Sequence, residues 1–105
     1  MNDKVEVKDS PIHGKGLFAK KRLRRNELVG IYEGVPTDTD DTYVLWFENE
    51  EGKLVGIDGR NELRFSNHSR NANAILYGDE LYALRTIEPG TEIMIDYGED
   101  WADVE

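Results

Sequence analysis

The sequence predicts a small, mainly β domain, and three observations support this fold class. Short apolar runs rich in Val, Ile, Leu, Tyr and Phe recur along the 105 residues, and Gly, Pro and Asn separate them. Runs of this length bounded by turn residues are typical of antiparallel β structure. Helical periodicity is weak, since only residues 61–65 could form a turn or two of helix. A chain of this length holds one compact domain, so we expect residues 1–105 to form a single unit.

The first predicted strands form a hairpin. Val5, Val7 and residues 17–19 are apolar and flank a turn that contains a Gly-Lys-Gly run at residues 14–16. Residues 28–32 form the next predicted strand. The turn before it contains Asn26, and Asn tolerates a left-handed backbone better than most residues other than Gly.

Two further hairpins and a last strand are predicted downstream. Residues 43–48 and 53–58 are expected to pair through a turn that contains Gly, as are residues 74–77 and 81–86. A Pro-Gly pair, typical of a type II turn, precedes the last strand at residues 93–97. Alternation along that strand places Ile93, Ile95 and Tyr97 on one face.

Three segments do not fit the strand pattern, and one of them is the tail at residues 98–101, which is acidic yet carries a large aromatic residue. Residues 36–41 are predicted to form an acidic loop. Residues 66–73 are polar and rich in Asn, so we expect no half-buried strand there. Amide, imidazole and hydroxyl groups in such a loop can bond to buried backbone or to a polar ligand.

Charge and composition exclude several classes of protein. The 22 Asp and Glu residues outnumber the 13 Lys and Arg residues, which gives a net charge of -9. Phosphate contacts supply most nucleic-acid affinity, so we expect no direct nucleic-acid binding. The charge would attract basic peptides, or it could serve solubility alone. Cys is absent, which excludes disulfides, thiol nucleophiles and zinc held by thiolates.

Neither a membrane span nor a secretory signal is predicted. No apolar run approaches the roughly 20 residues that a bilayer requires, and the first residues are polar. The basic run at residues 20–25 could be a nucleic-acid or nuclear-localisation patch. The pattern favours a solvated strand-and-turn face from which Leu23 points inward.

Three segments could carry chemistry. They are Gly-Lys-Gly-Leu-Phe-Ala at residues 14–19, Arg-Phe-Ser-Asn-His-Ser at residues 64–69 and Gly-Thr-Glu-Ile-Met-Ile-Asp-Tyr-Gly at residues 90–98. Taken singly, they are typical of a hairpin turn, a hydrogen-bonded polar loop and a strand with a packed Tyr. His68 has only His13 as a second imidazole and no carboxylate at ligand spacing, so no metal site is predicted.

Taken together, in this order and spacing, the three segments resemble the SET domain of protein-lysine methyltransferases. The resemblance runs from Val5 to Trp101 and is to a minimal form, similar in layout to small viral SET proteins and without the zinc-binding segments before or after the domain. It implies a fold of several small sheets with a knot-like threading near the C-terminus. It also implies transfer of methyl from S-adenosylmethionine, without a metal, to lysine in a basic protein such as a histone tail.

The resemblance also implies roles for individual residues. Backbone around Lys15 and Gly16 would contact the cofactor, and Asn67 and His68 would hold its amino-acid and adenine ends. The implied cofactor residues are Lys15, Gly16, Tyr43, Asn67, His68, Tyr97 and Trp101, the implied channel residues are Tyr43, Phe47 and Ile95, and the implied catalytic residues are Tyr97 and Tyr43.

The chain departs from the family pattern in three places. Ala72 stands where many members have Pro. No Cys follows Gly98, so Trp101 is the candidate that closes the channel in place of zinc, unless it only packs the C-terminal tail. Ile95 stands where many members have Phe or Tyr, which leaves the number of methyl groups open.

Two other function classes remain open at this point. One is an inactive SET-like module that binds a basic peptide or the cofactor. The other is a small β interaction domain that matches the motifs by chance. A homodimer could complete the site of so small a member. The compartment expected for a lysine methyltransferase is intracellular, in the cytoplasm or nucleus, or in the host nucleus if the chain is viral.

Overall fold

The computed structural model describes residues 3–12 and 14–96, which form ten short strands and one 3₁₀ turn over Glu62–Phe65. The fold is mainly β, as the sequence predicts, and the turn matches the single helical segment expected there. None of the described residues lies in a helix with the length and apolarity to cross a bilayer. The strands are β1 (Val5–Asp9), β2 (Lys15–Ala19), β3 (Leu28–Ile31), β4 (Gly34–Thr37), β5 (Val44–Glu48), β6 (Leu54–Gly59), β7 (Asn67–His68), β8 (Ala74–Tyr77), β9 (Glu80–Ala83) and β10 (Glu92–Ile95).

The first sheet joins segments from both ends of the described chain. Its strand order is β1-β2-β10-β7. The β1–β2 hairpin presents β2 to β10, where Ile93 lies opposite Leu17 in an antiparallel pair. On its other side β10 runs parallel to β7, with Ile95 opposite His68. A strand from the C-terminal part of the chain therefore lies between the predicted glycine hairpin and the Asn-His segment.

The other two sheets are antiparallel and three-stranded. Their orders are β3-β9-β8 and β4-β6-β5. The hairpin turns contain Gly52 and Gly78, whose φ angles of 79° and 61° are favoured by Gly. Asn26, at φ 69°, adopts the left-handed conformation predicted for it, and Gly90, at φ 86°, does so in the predicted Pro-Gly turn.

One hydrophobic core connects the sheets. Leu45 and Ile57, from β5 and β6, pack against it from the third sheet. Leu23 is fully buried and bridges to Ile87, which confirms the predicted orientation of the basic run. The large side chains that are fully buried are Leu17, Leu23, Val29, Leu63, Leu81, Ile87 and Ile93.

Three details of the predicted secondary structure are wrong. Residues 36–41 were expected to be loop, yet Pro36 and Thr37 belong to β4, an edge strand, where the missing N–H of Pro is tolerated. The strand predicted over residues 81–86 ends at Ala83. Beyond it, the Leu84 N–H donates to the Asn73 carbonyl at 2.9 Å, which continues the β8–β9 register by one pair, and residues 84–86 form no further strand.

The third error concerns the polar segment at residues 66–73, where no strand was expected. Asn67–His68 form β7, and both residues are buried. The backbone of β7 pairs with β10, and the buried Asn67 side chain donates to Glu92 Oε2 at 2.8 Å. Burial of polar groups is tolerated when hydrogen bonds replace those made to water.

Gly34 is predicted to be intolerant of any side chain. A Cβ atom there would overlap the Asp58 carbonyl oxygen and lie 2.9 Å from the Cα atom of Gly59, so the β4–β6 pair would have to separate. We expect Gly34→Ala to lower the free energy of unfolding by about 1–3 kcal/mol, measured by urea denaturation. Gly52→Asn is the control, because open space surrounds Gly52 and Asn tolerates its φ. Equal losses in the two variants would contradict the steric argument.

Candidate active site

The three motif segments meet along β10. Glu92 and Ile93 pair with β2, in the first motif, and Met94 and Ile95 pair with β7, in the second. The backbone N–H of Ser69 donates to the Ile95 carbonyl at 3.0 Å, which extends the contact beyond β7. The structure therefore brings together Lys15, Gly16, Asn67, His68 and Ile95, five of the residues that the resemblance implies.

A buried carboxylate joins these segments. Both oxygens of Glu92 accept from the Ser10 hydroxyl at 2.9 Å, and Oε2 also accepts from Nδ2 of Asn67 at 2.8 Å. The same Asn67 amide donates to the Lys15 carbonyl at 3.2 Å. These bonds compensate for burial of the charge and hold the Asn67 side chain against the glycine hairpin.

The two glycines of the first motif have different functions in the structure. A Cβ atom at Gly16 would overlap Glu92 Oε2 and lie 2.9 Å from the Ser10 Cβ, so the second glycine permits this close approach. Gly14 has open space in the corresponding direction and a φ of 47°. A ligand can therefore approach the Cα atom of Gly14 from this side, whereas the same side of the Gly16 Cα atom faces the carboxylate.

Lys15 presents its backbone and its side chain in different directions. Its carbonyl accepts from Asn67, whereas its ammonium pairs with Asp9 at 2.7 Å on the exposed side of the hairpin. The hydrogen bond from Lys15, and next its charge, lower the pKa of Asp9 below its ordinary value. A contact between Lys15 and the cofactor would therefore involve the backbone, as the resemblance implies.

Asn73 holds β10 from the side opposite β2. Its Nδ2 donates to the Glu92 carbonyl at 2.8 Å, and its Oδ1 accepts from the Met94 N–H at 2.8 Å. The side chain thus bonds to β10 as a neighbouring strand would. Ala72, which directly precedes Asn73, leaves this arrangement intact.

His68 lies beside Ile95, at the C-terminal end of β10. The imidazole is buried, and Nδ1 is 3.9 Å from the Oδ1 atom of Asp96, the last described residue. Tyr97 and Trp101, and with them the expected transfer and closing residues, lie outside the described residues, as does His13. The predicted knot-like threading also involves that segment and stays a prediction.

Tyr43 contacts the second motif through aromatic packing. Its ring lies edge-on to Phe65 with centroids 5.8 Å apart, and the Arg64 guanidinium lies over both rings. The Tyr43 carbonyl accepts from the Tyr32 hydroxyl, and the ring is 40% exposed. Tyr43 is thus accessible. It contacts Phe65, which lies two residues before Asn67 in the chain.

Phe47, the implied channel residue on β5, lies elsewhere. Its ring is next to Gly78, where an added Cβ would be 3.6 Å away, in the turn between β8 and β9. Ile95 borders a cavity of about 350 Å³ at the end of β10. The other residues that line this cavity are Arg70, Ala72, Ala74, Ile75, Leu76, Leu84 and Asp96.

Sequence reasoning assigned no role to Glu92 or to Ile75, Leu76 and Leu84. A signal for Glu92 existed, because a charged residue stands beside the core residue Ile93 within a motif that must pack on a glycine hairpin. The cavity residues gave no such signal in the sequence, because apolar residues of two paired strands show the same sequence pattern whether they line a cavity or fill a core. Among the described residues, no group of three or more His, Asp and Glu side chains is placed to hold a metal ion.

Comparisons with known proteins agree with this geometry. Residues 14–98 match the model of the SET domain family. The match covers most of the chain and all three motifs, so the protein belongs to the SET-domain family.

Two individual proteins illustrate the likeness. The histone-lysine N-methyltransferase MEDEA of Arabidopsis thaliana is 32% identical over an alignment that covers 91% of this chain. The chain spans only 17% of the length of that relative. A crystal structure from Plasmodium falciparum, of a protein named as a histone methyltransferase, superposes with a TM-score of 0.72. That match covers 96% of this chain and 98% of the other at 21% identity, which shows the shared fold.

Glu92→Ala is expected to destabilise the protein strongly. The change leaves the Ser10 hydroxyl and the Asn67 amide without their acceptor, so the free energy of unfolding should fall by about 2–3 kcal/mol. Glu92→Gln should cost less than about 1 kcal/mol, because the amide oxygen can still accept from Asn67. Urea denaturation measures both changes.

The control for these two variants is Glu88→Ala, which removes an exposed carboxylate that pairs with Arg22. Exposed ion pairs contribute at most about 1 kcal/mol, so this change should be small. If Glu92→Ala lowered the free energy of unfolding no more than Glu88→Ala, the buried carboxylate would not be what holds the segments together.

Proposed function

We propose that this protein transfers methyl groups from S-adenosylmethionine to the side-chain amine of lysine in basic proteins of the histone class. The observation that supports it most directly is the convergence of the glycine hairpin and the Asn-His segment on β10, immediately before Tyr97. Family membership and the names of both relatives agree with this activity.

The residues present fit the cofactor in two respects. The open space at Gly14 leaves a backbone that a ligand can approach. Asn67, His68 and Ser69 supply amide, imidazole and hydroxyl groups beside it, which suit the charged amino-acid end and the adenine edge of S-adenosylmethionine. We propose that Gly14, Lys15 and Gly16 bind through backbone and that Asn67 and His68 hold the two ends.

The bound cofactor would supply an electrophilic methyl group on a sulfonium, so the task of the protein is to orient and deprotonate the amine. Orientation of two reacting groups can lower a barrier by roughly 7–11 kcal/mol. A free lysine has a pKa of about 10.4. Apolar surfaces such as those of Ile75, Leu76, Leu84 and Ile95 around the cavity disfavour the ammonium form and lower that pKa.

Tyr97 would then orient the amine through its hydroxyl and need not act as a strong base. We propose that Tyr43, exposed beside Phe65, lines the entrance to the same channel. Trp101 would cover the cofactor or the channel. In larger members of the family, a zinc-bound segment closes the channel instead.

The acidic charge favours a basic substrate, because a net charge of -9 attracts lysine-rich segments at low ionic strength. A substrate of the histone class would place the activity in a nucleus. We also propose that a homodimer completes the site of so small a member of the family.

Labelled S-adenosylmethionine and purified core histones test the proposed activity directly. We expect label to enter histone lysines, and digestion with mass spectrometry should count the methyl groups on each. Cofactor binding without transfer would indicate an inactive SET-like module. Absence of both binding and transfer would indicate an interaction domain.

Tyr97→Phe is expected to reduce turnover by about 100-fold or more, the size of effect seen when one positioned hydrogen-bond donor is removed from an active site. The free energy of unfolding should change little. The matched control is Tyr77→Phe, since Tyr77 is an exposed Tyr on β8. Near-normal histone methylation by Tyr97→Phe would remove Tyr97 from the mechanism.

A further inference from the structure

The negative charge of the protein is concentrated in one segment of the chain, which forms the strands and the connecting loops of one sheet. Between Glu33 and Asp58, the stretch that contains β4, β5 and β6, the sequence has eight carboxylates and one basic residue, Lys53. The other 79 residues carry fourteen carboxylates and twelve basic residues, so they are close to neutral. The long-range field of the protein therefore originates mainly from this sheet.

This sheet has an apolar face directed away from the core. Leu45 and Ile57 point inward and pack on the core. Residues that alternate with them must lie on the opposite side of the sheet. This outer face consists of Val35, Val44, Trp46 and Leu54, together with the acidic residues Glu48 and Asp58. Val35 and Leu54 are 51% and 68% exposed.

Trp46 is held in place at the centre of the outer face. Its Nε1–H donates to the Asp40 carboxylate at 3.0 Å. Its six-membered ring lies against Gly56, where an added Cβ would be 2.8 Å from the ring. A fixed aromatic surface loses little conformational entropy on binding, and it can also attract a cation.

We propose that the outer face docks a basic polypeptide segment with one apolar side chain, a segment of the methyl-accepting protein outside its target lysine. The apolar side chain would pack against Trp46 and Leu54, and the flanking Lys or Arg side chains would pair with Asp40 and Glu48, whereas Asp58 already pairs with Arg60 at 3.0 Å. Charge complementarity favours this occupant over a second copy of the chain, whose identical acidic face would repel this one. The assignment of the segment to the substrate rests on the proposed function.

Two labelled peptides test the docking in the absence of cofactor, by fluorescence anisotropy at about 50 mM salt. One has five lysines on each side of a leucine, and the other has glycine in place of the leucine. Burial of one Leu side chain contributes about 1.5–3 kcal/mol, so the leucine peptide should bind at least about 10-fold more tightly. Leu54→Ser should remove most of that advantage and leave binding of the glycine peptide unchanged.

Matched variants provide the controls. Tyr77→Ser alters a side chain of similar exposure, 64%, on a different sheet, and should leave both peptides unaffected. Glu48→Gln and Glu88→Gln change the net charge equally, but only Glu48→Gln should weaken binding of both peptides, by about 2-fold or more. High salt should abolish this difference. Unchanged urea midpoints for Leu54→Ser and Tyr77→Ser would confirm intact folds.

Three results would overturn the proposal. The first is equal affinity for the leucine and glycine peptides. The second is an equal loss of leucine-peptide affinity in Leu54→Ser and Tyr77→Ser. The third is a dimer, detected by sedimentation, that Leu54→Ser dissociates. With core histones as substrate, Leu54→Ser should raise KM several-fold and leave kcat unchanged. Absence of methyl transfer by the wild-type protein would refute the proposed function, yet the peptide measurements would still decide the docking.

Discussion

The Glu92 carboxylate is the constraint on which the arrangement of the site depends. It is buried, and it accepts hydrogen bonds from the Ser10 hydroxyl and the Asn67 amide. A buried charge is tolerated only when its hydrogen bonds are complete. Ser10 and Asn67 must therefore both be in place, and Gly16 must leave the space. Because Ser10 is 82 residues away in the chain and Asn67 is 25 residues away, one interaction orders segments that local structure could not bring together.

The parallel pair of β7 and β10 explains how so polar a segment can lie inside the protein. Asn73 bonds to the β10 backbone as a further strand would, so two Asn side chains and two strands satisfy the buried polar groups around it. Side chains protect another sheet edge in a similar way. Lys4 donates to the Leu28 carbonyl and Asn61 to the Ile31 carbonyl, so that exposed β3 presents fewer free acceptors to other strands.

The sequence allowed most strands to be predicted, because apolar runs between Gly and Pro turns are local signals. The same approach missed β7, since two polar residues form a strand only by pairing with a distant segment. It missed β4 because Pro36 and the absence of a buried alternating face resemble a loop. The meeting of Asn67 with the glycine hairpin was implied by the family resemblance. The role of Glu92 was not, because the need for a carboxylate arises only when Ser10 and Asn67 converge on it.

The outer face and the candidate site share one structural element. Tyr43 directly precedes β5, and its carbonyl accepts from the Gly59 N–H at 2.9 Å at the end of β6. Its ring packs on Phe65, two residues before Asn67. A substrate held on the acidic sheet is thus anchored to the strand that positions Tyr43. Binding energy from parts of a substrate remote from the reacting atoms can be used to orient those atoms. In a domain with so small a cavity beside Ile95, the proposed remote contact would offer the apolar area and charge needed to select one basic protein over another.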